Sequence, residues 1–178
     1  MKLLSALTLF LTLLCIGCSK PPPEETFMKA EDALKSGNVP LAIESYAQVV
    51  SDHPSSPLAE QATFRIAAAQ HNEMRNYQAA IGSYQRYVEM YPDGEKAPTA
   101  LFLTGFLYNN ELHKLDSAAM AYHRFLEKYP QHEMAVSAQF ELDNLGKSPD
   151  ELLPNPQVTE QSPPKSSSKK TAGKSGKN

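Results

Sequence analysis

A period of 38 residues governs this chain. Pro54, Pro92 and Pro130 are spaced by it, as are Ala42, Ala80 and Ala118, and Tyr46, Tyr84 and Tyr122. The same interval relates Ala59, Ala97 and Ala135; Ala62, Ala100 and Ala138; and Phe64, Phe102 and Phe140. Self-similarity at this length marks stacked supersecondary units, each unable to bury its apolar face alone. Within a unit the pattern reads helix, turn, helix. In Ala42–Val50 the apolar residues fall at i, i+1, i+4, i+7 and i+8, a helical stripe. The alanine admits a close neighbour, and the tyrosine one turn on fills the adjoining space. This second helix stops before Pro54, because the residue preceding a proline is pushed out of helical conformation. Gly37-Asn38 supplies the turn ahead of it, with Asn76 and Lys114 in the matching places. The equivalents of the second helix are Tyr77–Met90 and Leu115–Lys128. The first helices of the units are expected at Glu24–Ser36, Pro57–Glu73 and Glu95–Glu111. A seventh helix, Glu133–Leu145, repeats the alanine and phenylalanine positions of a first helix, stops at Gly146, and reads as a cap.

Charge and composition narrow the function. A hydrophobic share of 41% can supply a core. From Ser19 to Glu160 there are 11 Lys and Arg against 20 Asp and Glu, and after Glu160 five lysines and no acid. An acidic body with a basic tail is not the charge pattern of a nucleic-acid-binding domain. The five histidines (His53, His71, His113, His123, His132) do not pair with each other or with cysteine at metal-ligand spacing. No phosphate-binding glycine loop and no G-x-S-x-G occurs. Acidic pairs such as Glu24-Glu25 and Glu31-Asp32 suit solvated helix surfaces better than an acid/base couple. Neither catalysis nor a metal or other cofactor is expected.

The run Gly37, Ala42, Tyr46, Pro54 resembles the tetratricopeptide repeat (TPR) at its usual spacings. So do Tyr77, Ala80, Tyr84 and Pro92, and Leu115, Ala118, Tyr122 and Pro130. Arg75 and His113 stand where the family has a turn glycine, and the period is 38 rather than 34. The resemblance implies an all-α, right-handed α-solenoid of about three helix pairs plus the C-terminal capping helix. Its units are 24–56, 57–94 and 95–130, with the cap at 131–146.

The chain starts Met1-Lys2, continues as an apolar run from Leu3 to Ile16, and reaches Leu14-Cys15-Ile16-Gly17-Cys18. This resembles the lipobox of bacterial lipoproteins, with Cys15 standing where leucine is usual. It implies a signal peptide at 1–17, lipidation of Cys18, and a Pro-rich spacer at 18–23. Ser19, rather than Asp, after the cysteine implies the outer membrane, with the protein facing the periplasm. Residues 147–178 are rich in Pro, Ser, Gly and Lys and are expected to be disordered. Their lysines suit weak contact with an anionic surface.

Carried over from other TPR proteins, the concave face comprises Phe27 and Glu31; Arg65, Ala69 and Asn72; and Leu103, Leu107 and Asn110. An apolar floor with one cation and two amides suits an extended peptide segment of an envelope protein. Ordinary packing between repeats is the alternative for Leu103 and Leu107. The lipobox, Tyr91-Pro92, Tyr129-Pro130 and the long period are similar to the BamD family, the TPR lipoproteins of the β-barrel assembly machinery. That family has nearer five repeats. The C-terminal TPR part of the Tol-Pal-associated coordinator family is also similar. It implies instead an accessory role in cell-wall synthesis or envelope constriction.

Overall fold

The computed structural model describes residues 20–147 and Glu151. The chain divides into two units, residues 1–146 and 147–178. In the second, only Lys147 and the helical Glu151 are described. The signal peptide, Cys18 and nearly all of the basic tail lie outside the described residues.

The described residues of the first unit form helices joined by turns, with no strand among them. Its helices are α1 (Pro23–Lys35), α2 (Val39–Asp52), α3 (Pro57–Asn72), α4 (Tyr77–Met90), α5 (Ala97–Phe106), α6 (Leu115–Lys128) and α7 (Ala135–Asp143). A π-helical turn, Leu107–Glu111, extends α5. Each helix packs on the next, and α1 also touches α3, so the first helices of the first two pairs lie beside one another. The all-α class and the paired-helix architecture expected from the period are both present.

The periodicity extends to the connections. His53, Tyr91 and Tyr129, each just ahead of a proline, end their helices with φ of −134°, −129° and −128°. Their carbonyls then accept from Ser56, Gly94 and His132 N–H at 2.9, 3.0 and 3.1 Å, closing the same tight turn three times. Pre-proline crowding both stops the helix and aims the chain at the next one. The entry to α2 and α4 is capped by Asn38 and Asn76, whose side chains accept from Leu41 and Ala79 N–H. Lys114 caps nothing through its side chain.

The turns inside the pairs differ from one another. Helix α1 ends with Asn38 N–H on Ala33 O and Gly37 N–H on Leu34 O, around Gly37 at φ +79°. This is a Schellman closure, for which glycine is the natural residue. After α3 and α5 the closure is one residue wider: Asn76 reaches back to Gln70, and Lys114 to Tyr108. Leu112 N–H bonds Leu107 O five residues back, which is the π turn. The single helix expected at Glu95–Glu111 is therefore shorter and unwinds at its end. Glu95 and Lys96 belong to the preceding turn, in which Ala97 N–H bonds Gly94 O. Arg75 and His113 both adopt φ +51°, the left-handed conformation that Gly37 adopts in the first pair.

Buried alanines let the helices approach. Ala42, Ala80 and Ala118 are fully enclosed, as are Ala62, Ala100 and Ala138, with Tyr46, Tyr84 and Tyr122 beside them. Phe64 lies 5.5 Å from both Tyr84 and Tyr87, and Phe102 lies 5.6 Å from Tyr122 and 6.1 Å from Phe125. Such steeply angled pairs add roughly 0.5–1.5 kcal/mol each beyond burial. At Gly105, a Cβ would meet the Tyr122 ring at 2.8 Å, so only glycine permits α5 and α6 this close. Helix α7 packs on α6 as a cap should. Its outer side is not the polar surface expected of a cap, because Val136 and Phe140 stand exposed there.

Replacing Arg75 or His113 with glycine is expected to stabilise the protein by about 0.5–1 kcal/mol. That is the left-handed penalty less the freedom glycine gains in the unfolded chain. Gly37→Ala should move stability the other way, and urea midpoints at unchanged m-value measure all three.

Candidate functional site

The candidate residues separate into two clusters and a buried remainder. At one end of the first helices, Glu31 on α1 is the hub. Its Oε1 accepts from Tyr46 Oη at 2.5 Å and lies 3.1 Å from Arg65 Nε on α3. Phe27, one turn before Glu31, packs edge-on against Tyr46 with ring centroids 5.4 Å apart. Three of the predicted residues, Phe27, Glu31 and Arg65, are thus brought together, and the Arg65 side chain remains 50% exposed.

Beside Arg65 the surface opens into a cleft of about 720 Å³. It is bounded by Gln61, Phe64 and Arg65 of α3, by Tyr87 of α4, and by the turn Asp93–Lys96. Within it Tyr87 Oη donates to Glu60 Oε1 at 2.6 Å. Gly94 keeps this bond possible, since a Cβ there would sit 2.5 Å from Glu60 Oε1 and 2.8 Å from Tyr87 Oη. Glu60, Tyr87 and Gly94 were missed from sequence. The signal available was that Gly94 stands at the 38-residue equivalent of Ser56 and His132, where a side chain otherwise caps the turn.

Asn72 belongs to a second cluster at the opposite end of α3. There it lines a polar hollow with His71, Arg75, Tyr77 and Glu111. Burial lowers the His71 pKa, and the Glu111 carboxylate opposes that shift. Partial burial raises the Tyr77 phenol, helped by its hydrogen bond to Glu111. Glu111 comes from the π turn, which explains why helical spacing did not place it beside Tyr77. Asn110 is exposed and donates from Nδ2 to Phe106 O at 3.1 Å, so its amide is partly engaged by its own helix.

Leu107 does not face an open groove: it is 0% exposed and lies in the core formed by α4 to α7. Leu103 packs against the same core while half-buried, and Ala69 is enclosed as well. The apolar floor expected from these positions is packing between repeats. Leu107 opens the π turn, which packs against α6 and α4 and so carries that side chain into the core.

The enclosed tyrosines share an electrostatic character. Burial, reinforced by the Glu31 bond, drives the Tyr46 phenol well above its ordinary value, with Arg65 a small counterweight. Burial and Glu60 do the same to Tyr87. Burial alone pushes Tyr84 to about 12, and burial with nearby Glu141 raises Tyr122. These phenols are neutral, and Tyr46 and Tyr87 donate from theirs to Glu31 and Glu60. Among the described residues no group of His, Cys, Asp or Glu is arranged to hold a metal ion, and no helix is long and apolar enough to cross a membrane.

A family model described as "Outer membrane lipoprotein" (YfiO) matches residues 19–147. No curated protein matches the sequence. Among solved structures, the TPR domain of Arabidopsis OM64 is 20% identical over 68% of this chain and 93% of that one, with a TM-score of 0.49. A tetratricopeptide repeat protein from Parabacteroides merdae is 24% identical with a TM-score of 0.54. That alignment covers 67% of this chain and 45% of the Parabacteroides chain, and at this identity it establishes the fold alone.

Two outcomes follow from the tyrosines. Because their folded pKa values exceed the unfolded value of about 10, the stability they carry is fully present below pH 10 and lost as pH rises through the folded values. The thermal midpoint should therefore be flat between about pH 7 and 9 and fall above about pH 10. The hydroxyls themselves are unequal, since Tyr122 Oη is buried without a hydrogen-bond partner. Tyr122→Phe should be neutral or stabilising, whereas Tyr87→Phe should cost about 1 kcal/mol in urea unfolding.

Proposed function

The chain belongs to the YfiO family of outer membrane lipoproteins, and from that premise we propose that it is a lipid-anchored scaffold for outer-membrane protein assembly. In this reading Cys18 carries the lipid, the TPR unit faces the periplasm, and the role is binding rather than catalysis. The observation that carries it is the cleft beside Arg65. An extended peptide lying across α3 would meet a half-exposed guanidinium for its carboxylate or carbonyl oxygens. The Phe64 ring would take an apolar anchor, and Gln61 could bond the peptide backbone. Glu31 holds Arg65 in place, so the cation is positioned before the ligand arrives. The family match supports the outer-membrane reading over the constriction-coordinator one. Asn72 and Asn110 lie outside the cleft and serve as a second, weaker surface in this proposal.

The test places a photo-crosslinking residue at Gln61 in the native host, with and without Arg65→Glu. Capture of β-barrel precursors or barrel-assembly components, reduced about tenfold or more by Arg65→Glu, is the expected result. A cell-wall synthase or constriction protein at Gln61 would transfer the protein to the coordinator class. Silence there with the fold intact would reject the cleft as the working surface. Cys18→Ala should release the protein from the membrane while leaving capture of purified partner unchanged.

A further inference from the structure

Residues 20–23 follow the cysteine expected to carry lipid, and they do not stand clear of the fold as a spacer would. Lys20 Nζ lies 3.0 Å from Asp52 Oδ1 at the end of α2 and holds that carboxyl below its ordinary range. His53 Nε2, one residue on, donates to Pro21 O at 2.7 Å. Pro22 O then accepts from Thr26 N–H at 3.2 Å, and α1 has begun at Pro23. Prolines at 21, 22 and 23 fix their own φ, so holding this backbone in one path costs less entropy than it would elsewhere. Two side chains from the end of α2 thus grip a segment that is already stiff.

The same contacts show which edge of the array this segment lies on. His53 against Pro21 sets the turn after α2 beside the start of α1. Glu60, in the first turn of α3, lies against Gly94, where a Cβ would sit 2.5 Å from its Oε1, so the turn after α4 comes next. Lys128 Nζ and Tyr129 Oη both donate to Pro92 O at 3.2 Å, which adds the turn after α6. The three proline turns therefore form one continuous edge, and the turns at Gly37, Arg75 and His113 lie at the opposite ends of the same helices. The cleft beside Arg65 opens on the proline edge, through Pro57 and residues 93–96. The hollow of Asn72 and Tyr77 lies at the far one.

Cys18 precedes Lys20 by two residues, and two residues of chain reach at most about 7 Å. We infer that residues 20–23 are a strap, which holds the lipidated end on the proline edge and turns that edge, with the mouth of the cleft, to the lipid surface. This rests on the lipid-anchor reading of Cys18. Charge does not do the orienting, because the proline turns carry Asp93, Glu95 and Glu133 against Lys96 alone. Their chemistry nonetheless suits the boundary of a bilayer: Tyr91 and Tyr129 are half-buried there, with Lys128 5.3 Å over the Tyr129 ring. A segment bound in the cleft would then lie against the membrane rather than beneath a swinging domain.

Cysteine occurs only at 15 and 18, and the anchor reading removes the first and acylates the second. An introduced thiol is then the sole labelling site in the lipoprotein. Gln131→Cys and Asp116→Cys place a donor fluorophore at exposed positions near the two ends of α6. The full lipoprotein is reconstituted into phosphatidylethanolamine–phosphatidylglycerol vesicles carrying an acceptor on the headgroups. The length of α6 should bring the Gln131 label about 20 Å nearer the headgroups, with energy transfer at least about twofold greater than from Asp116. Lys20→Ala with His53→Ala should bring the two transfers together, with circular dichroism confirming the fold. Lys20→Ala with Pro21→Gly loosens the strap without touching α2 and should do the same. Equal transfer from the two labels in acylated protein, or a difference that survives both strap variants, would overturn the inference and leave the anchor reading in place. Cys18 found unacylated by mass spectrometry would overturn both.

Discussion

An aromatic ring from the first helix of the second and of the third pair, set at an angle against two rings of the helix that follows, is the contact on which this array depends. Phe64 between Tyr84 and Tyr87, and Phe102 between Tyr122 and Phe125, fix the crossing of their pairs. They do so because the neighbouring alanines remove every side chain that would hold the helices apart. In the first pair Phe27 and Tyr46 play the same part from shifted positions, and Glu31 joins them through the tyrosine hydroxyl. The candidate site thus grows directly out of the packing: the residue that presents Arg65 is also the acceptor for a core tyrosine.

Much of this was legible in the sequence, for a physical reason. Alanine, tyrosine and proline at one interval are each tied to a backbone or packing requirement, and the bounds expected for Tyr77–Met90 and Leu115–Lys128 coincide with α4 and α6. Gly37 marked a turn, with Arg75 and His113 in its place in the next two units; that all three adopt the left-handed conformation came from the structure. The site was less legible. Glu31 and Arg65 belong to helices separated by a whole second helix, and helical spacing alone does not say that they meet. Leu107 looked like groove floor because a uniform helix was assumed. The π turn that starts at Leu107 changes the register there, and it is also what brings Glu111 to Tyr77.

Polar groups mark where packing and recognition separate. Glu60 accepts from Tyr87 at the wall of the open cleft, so the same bond closes the core and shapes the surface. Tyr122 keeps a buried hydroxyl with no partner in a place where phenylalanine would pack as well. The repeat keeps ring shape along its length, while the hydroxyl finds an acid at Tyr46 and Tyr87, a backbone carbonyl at Tyr129 and no partner at Tyr122.

The apolar interior comes in two pieces that meet on α3. Ala62 belongs with α1 and α2, while Ala67, barely a turn later, belongs with α4 to α7. Helix α3 therefore serves both pieces, with α2 packed along it and α1 touching it on one side and α4 closing on it from the other. Whatever engages Arg65 takes hold of the helix that the two pieces share.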